Sequence, residues 1–268
     1  MKAPVARRHR FPALLAALVA LAWASLWAWS RSPYGGYLQH DDWTASGPAA
    51  ALCRALPGGV WLVPAALYAG AWIVMTAAMM LPTTLPLLDI FARLTASRAD
   101  RGRLLVLLVL GYMAVWGGFG LLAHGVHAVV LWLADRFPAL GWEGWTFGAA
   151  VIALAGAFQF SALKRRCLDK CRAPLGFVIE HWRGRAHGRQ AFALGAHHGL
   201  YCVGCCWALM LLMFAFAAGS LGWMLALAAV MAVEKNVGWG RHLGAPLGIG
   251  LLAWSGLIVL RHLGGADA

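Results

Sequence analysis

The chain has 268 residues, of which 62% are hydrophobic and only 12% charged, and its mean hydropathy is positive. Soluble domains carry about 25% charge, so a soluble globular domain is excluded. The net charge of +12 does not mark a nucleic-acid surface, because the basic residues sit between apolar runs, where they meet lipid headgroups.

Seven apolar stretches predict an all-α, polytopic helical membrane protein. Its transmembrane helices fall at about 11–30, 60–81, 104–124, 145–163, 197–217, 219–233 and 243–260. The first stretch, roughly twenty residues, exceeds the 7–15 of a signal peptide and reads as a retained anchor. The loop 31–59 holds Pro33, Gly35, Gly36, Pro48, Pro57 and Gly58, a turn-rich cap. The expected division is therefore 1–59, anchor helix and outer loop, and 60–268, a six-helix membrane domain. Apolar character in the third stretch continues to Leu133. No breaker follows the fourth before Pro174, which predicts a helix running on past the membrane. The sixth is short and needs its neighbours or a thinned bilayer to cross.

The basic residues alternate along this order. Of 22 Lys and Arg, 18 fall in the N-terminal segment and every second loop, eight of them in 164–196. Positive charge stays inside, so the N-terminus is expected in the cytoplasm and the C-terminus outside.

Five of the six cysteines lie in two short motifs. In "KRRCLDKCRAPLGF" (164–177), Cys167 and Cys171 are four apart and stack on one helix face. Their basic surroundings favour the thiolate, the form that binds metal. In "HHGLYCVGCCWALM" (197–210), His198, Cys202, Cys205 and Cys206 share an arc of about 100° on a helix, while His197 points elsewhere. A single cysteine here would be a small packing residue. Four metal-capable side chains on one arc point to metal or redox chemistry. "MTAAMMLPTTLP" adds Met75 and Met79, stacked four apart, and Met80 on another face. Glu234 and Lys235 close the sixth stretch, where charges among headgroups and a functional pair read equally well. By the predicted topology all these groups lie at one level on the cytoplasmic side. His124 and His127 suggest a weaker outer ion site with His40, Asp41 and Asp42.

Thiolate, thioether and imidazole form a soft donor set, which selects Cu(I). Zinc accepts Cys and His but has little use for Met, so the methionines decide for copper. No GxxxxGK[ST] occurs, so ATP-driven pumping by this chain is not expected. The alternative is a membrane thiol-disulfide oxidoreductase using the Cys202/Cys205 and Cys167/Cys171 pairs. Against it stand a reducing cytoplasm and the lack of a thioredoxin-like pattern.

"MMLP", the two cysteine motifs and the later "EK" resemble a bacterial family of predicted metal-binding integral membrane proteins, some described as membrane-bound copper chaperones. The likeness covers about residues 70–260. It implies a multi-pass protein of the cytoplasmic (inner) membrane that handles copper and delivers it to a copper-dependent oxidase or another copper-handling partner. It implies no enzyme activity. Carried onto this sequence, its metal candidates are Met79, Met80, Cys167, Cys171, His198, Cys202, Cys205, Cys206 and Glu234; the helical wheel adds Met75.

Overall fold

The computed structural model describes residues 10–31, 59–137, 144–184, 187–215 and 221–264. Among these every regular element is helical. The α-helices are α1 (Arg10–Ser30), α2 (Gly59–Met79), α3 (Leu85–Leu94), α4 (Arg101–Arg136), α5 (Gly144–Phe158), α6 (Ala162–Arg172), α7 (Pro174–His181), α8 (His187–Ala215), α9 (Leu221–Asn236) and α10 (Gly244–Gly264). Short 3₁₀ turns, Leu81–Thr84 and Gly240–Leu243, precede α3 and α10.

A helix stands at each of the seven predicted stretches. By length and composition, Arg101–Ala134, His187–Met213 and Gly240–Leu263 can each cross a bilayer. Two bent pairs raise the number to five if each counts as one span.

Both bends have local causes. The fourth stretch does not run straight on. α5 stops at Phe158 and α6 leaves at 64°. The Ser161 hydroxyl accepts from the Lys164 amide at 3.0 Å and starts a new helix as its N-cap. The Gln159 side chain donates back to the Ala155 carbonyl at 2.9 Å. At the other bend, α2 ends before Pro82 and α3 leaves at 50°. Pro82 and Pro86 supply no amide, and each sits in the first turn of a new helix, where none is needed. The Thr83 and Thr84 hydroxyls donate to the Met80 and Leu81 carbonyls at 2.7 and 2.8 Å. α3 was not foreseen. It is amphipathic, burying Leu87, Leu88, Phe91 and Ala92 while the Asp89–Arg93 pair stays exposed.

α8 is the central helix and packs on α4, α5 and α6. It meets α4 backbone to backbone. A Cβ at Gly195 would stand 1.9 Å from the Leu108 carbonyl oxygen, and one at Gly111 would stand 2.1 Å from that of Phe192. Only glycine allows this approach, which membrane helices use in place of a hydrophobic drive. Outer faces carry large exposed apolar side chains, including Leu122, Val126 and Trp132 on α4 and Ile249, Leu257 and Leu260 on α10.

Candidate metal centre

On α8, His198, Cys202 and Cys206 follow one another at intervals of four, with Cys205 beside them, and all four are buried. The Cys205 and Cys206 thiols both donate to the Cys202 carbonyl, at 3.1 and 2.9 Å, as small polar groups do inside helices. From α6, Cys171 Sγ comes within 4.0 Å of Cys205 Sγ. Cys167 fits against Gly204, where a Cβ would stand 2.6 Å from its sulfur. From the α2–α3 break, Met80 Sδ lies 3.8 Å from Cys206 Sγ. The described cysteines are all free thiols.

Polar groups close around this sulfur cluster. Tyr112 of α4 places its hydroxyl 3.0 Å from Cys202 Sγ. Lys235 of α9 points its ammonium inward. Its Nζ stands 2.9 Å from Cys202 Sγ, 3.7 Å from Cys206 Sγ, 3.7 Å from Met80 Sδ and 3.5 Å from Thr83 Oγ1. α6 and α9 are tied together just beside it. Glu234 receives Lys164 Nζ at 2.7 and 3.0 Å, with both side chains almost wholly buried. Gln159 Oε1 accepts a further hydrogen bond from the same ammonium. The Arg172 guanidinium donates to the Glu234 carbonyl and, at 2.8 Å, to the Gly238 carbonyl, capping the end of α9.

The predicted site residues therefore divide. Cys202, Cys205, Cys206, Cys171 and Met80 come together. Cys167 packs at the edge, on Gly204. Met75 and Met79 are buried along α2. Met80, which the helical wheel set apart from Met75 and Met79, meets Cys206, because the end of α2 is buried on more than one face; its amide still donates to the Thr76 carbonyl at 2.8 Å, as in a regular helix. Glu234 turns its carboxylate to Lys164. His198 lies between Tyr112 and Phe177, at ring distances of 6.0 and 5.5 Å, and its Nδ1 is buried without a hydrogen-bond partner. Of the suggested outer site only His124 and His127 fall among the described residues. His124 stacks on Tyr68 at 4.6 Å and His127 faces Phe147, while His40, Asp41 and Asp42 lie outside the described residues, as does Cys53. Lys235, Lys164, Tyr112 and Thr83 were not named as site residues. For Lys235 the signal was a charge beside a carboxylate at the close of an apolar run.

Among the described residues no three His, Cys, Asp or Glu side chains form a metal cage. The sulfur donors stand in pairs instead. With metal–sulfur bonds of about 2.3 Å, sulfurs at the Cys171–Cys205 separation of 4.0 Å would subtend about 120° at a shared ion. A soft ion content with two or three ligands fits this arrangement.

A family model described as copper chaperone, PpoB2, matches residues 69–258. The chain belongs to the PpoB2 copper chaperone family. The matched span takes in Met75, Met79, Met80, the described cysteines, His198, Glu234 and Lys235, so the family region contains the whole sulfur cluster. Membership supports a copper-related chaperone role, and the family's description is that of a carrier rather than a catalyst. No curated protein and no solved structure matches the chain.

Proposed function

We propose that the protein is a multi-pass carrier of the bacterial cytoplasmic membrane that binds Cu(I) in the α8 sulfur cluster and delivers it to a copper-dependent enzyme. One observation carries this reading. Sulfur side chains from α8, α6 and the α2–α3 break converge in a buried place where a scaffold would need only apolar packing. Cys202, Cys206 and Met80 form the inner donor set. Cys171, which is only half-buried, and Cys205 form the outer one. Ligand exchange between sulfurs this close lets a two- or three-coordinate ion pass from the outer pair to the inner without ever being released.

The membrane reading rests on the three long apolar helices, on the bent pairs and on the apolar outer faces of α4 and α10. We take all seven stretches to cross, with the basic segment 164–196 in the cytoplasm as the charge alternation requires. α1 is an anchor against the six-helix unit 60–268. It is joined to α2 by the Trp23 indole, which donates to the Ala78 carbonyl at 3.1 Å.

The test is a Cu(I) titration of the detergent-purified protein against a competing chelator, for wild type, Cys202→Ser, Cys206→Ser and Met80→Leu. Removal of either thiolate should weaken binding beyond the roughly 10- to 100-fold typical of losing a supporting residue. Met80→Leu should fall within that range. Equal affinity of wild type and both cysteine variants, or a wild-type preference for Zn(II), would overturn the copper reading; a Cys202–Cys205 or Cys167–Cys171 disulfide in the resting protein would bring the thiol oxidoreductase forward.

A further inference from the structure

A lysine is an unexpected neighbour for a cation site, and Lys235 is buried to within 6% of full enclosure. Its ammonium does not hang at the rim. It stands in the gap between Cys202 Sγ, Cys206 Sγ and Met80 Sδ, at 2.9, 3.7 and 3.7 Å. The adjacent carboxylate does not neutralise it, because Glu234 faces Lys164 and is held there together with Gln159. The sulfur groups are what Lys235 faces.

We propose that Lys235 is a specificity-determining residue that makes this centre selective for a monovalent over a divalent metal ion. The inference rests on the copper reading above and adds to it the reason for the charge preference. When the centre is loaded, both thiols have given up their protons to solvent. Two thiolates and one Cu(I) then sum to −1, and the ammonium brings the centre to zero. The same two thiolates with Zn(II) or Cd(II) sum to zero, and the ammonium leaves the centre at +1. An uncompensated charge in a buried site is strongly penalised. The repulsion between the ammonium and the bound ion also doubles when that ion is divalent. Donor softness cannot supply this discrimination by itself, since thiolates bind zinc as well as copper.

The ammonium must move aside when the ion arrives, and the structure provides the place. Thr83 Oγ1 is 3.5 Å from Nζ and accepts from it, while its own hydrogen goes to the Met80 carbonyl at 2.7 Å. Swinging toward Thr83 keeps the positive charge beside the thiolates and opens the gap between the sulfurs. The Lys164–Glu234 pair and the Arg172 cap fix the end of α9 from which this swing is made.

The experiment compares Ag(I), a monovalent ion stable in air, with Cd(II), a divalent ion that also favours thiolates. Affinities are measured by competition on the purified full-length protein for wild type, Lys235→Leu, Lys235→Gln and Lys235→Arg. Wild type and Lys235→Arg should prefer Ag(I). In the neutral variants the Ag(I)-to-Cd(II) affinity ratio should fall by about tenfold to a hundredfold. A ratio unchanged in the neutral variants, with Ag(I) still bound tightly, overturns the role of Lys235 and leaves the copper reading intact. Wild type that binds neither Ag(I) nor Cu(I) overturns both. If neither neutral variant folds, the wild type decides: Cd(II) bound as tightly as Ag(I) refutes the proposal.

Discussion

Glu234→Gln removes the anionic half of a buried ion pair while nearly preserving its shape. Lys164 and Glu234 have side chains only 3% and 2% exposed, and the carboxylate meets Lys164 Nζ at 2.7 and 3.0 Å. The neutral amide can still accept one hydrogen bond from the lysine, but it leaves the ammonium without a counter-charge in the interior. Breaking such a pair from one side costs about 3–5 kcal/mol. At roughly 2–4 °C per kcal/mol for a chain of this size, the melting temperature should fall by about 6–20 °C. Lys164→Met should cost a similar amount, because it strands the carboxylate instead. The double variant Lys164→Met/Glu234→Leu should recover most of the loss, since apolar replacement of a whole pair is often neutral or stabilising. The Gln159 oxygen it leaves unpaired takes back about 1–3 kcal/mol. Thermal unfolding in detergent, followed by tryptophan fluorescence, measures all four proteins. A Glu234→Gln variant as stable as wild type, or a double variant worse than either single one, would show that the pair does not hold α6 to α9 as argued.

The helix crossing gives a second expectation. Gly195→Ala drives a methyl into the Leu108 carbonyl and should cost about 1–3 kcal/mol, whereas Gly118→Ala, with open space around it, should cost nothing and gain helix propensity; melting temperatures compare the two. Orientation gives a third: Arg183→Cys should react with an impermeant thiol reagent only in permeabilised cells, beyond the wild-type background. Arg183 is exposed and is a better site than Gly184, whose φ of 68° suits glycine. Labelling in intact cells would reverse the topology.

The sequence carried the helices and the shared arc on α8, because apolar length and helical spacing are local properties. Cys202, Cys205, Cys206 and His198 needed only the 100° step of a regular helix to be read together, and α8 is regular through that stretch. Met80 was set aside although its backbone is still helical, with its amide donating to the Thr76 carbonyl at 2.8 Å. This end of α2 is buried on more than one face, so the face away from Met75 and Met79 meets a thiol as well. The break at Gln159–Ser161 was hidden because the signal is ambiguous. Serine mid-helix and serine as an N-cap look identical until its oxygen is seen accepting from the Lys164 amide. Lys235 and Glu234 were legible as residues but not as a pair of opposite duties. Their partners, Cys202 and Lys164, are 33 and 70 positions away, and no local pattern encodes which neighbour each one finds.

The pairing of the sulfurs bears on why a carrier would be built this way. A closed tetrahedral set of cysteines holds zinc as a structural element and gives it up slowly. Here the backbone favours the opposite outcome. α8 supplies three thiols from one helix face, and a rigid helix cannot wrap them round a single ion. The remaining donors come from separate elements, Cys171 from beyond one bend and Met80 from within the other. On the proposed reading, an ion bound in the cluster would be shared among separate elements, with two or three donors at a time. Low coordination exposes the ion to an incoming ligand from a partner. The ammonium of Lys235, 2.9 Å from Cys202, then offsets the thiolate charge left behind when the ion departs. Under the proposed function, the same bends that interrupt the helices make release as accessible as capture.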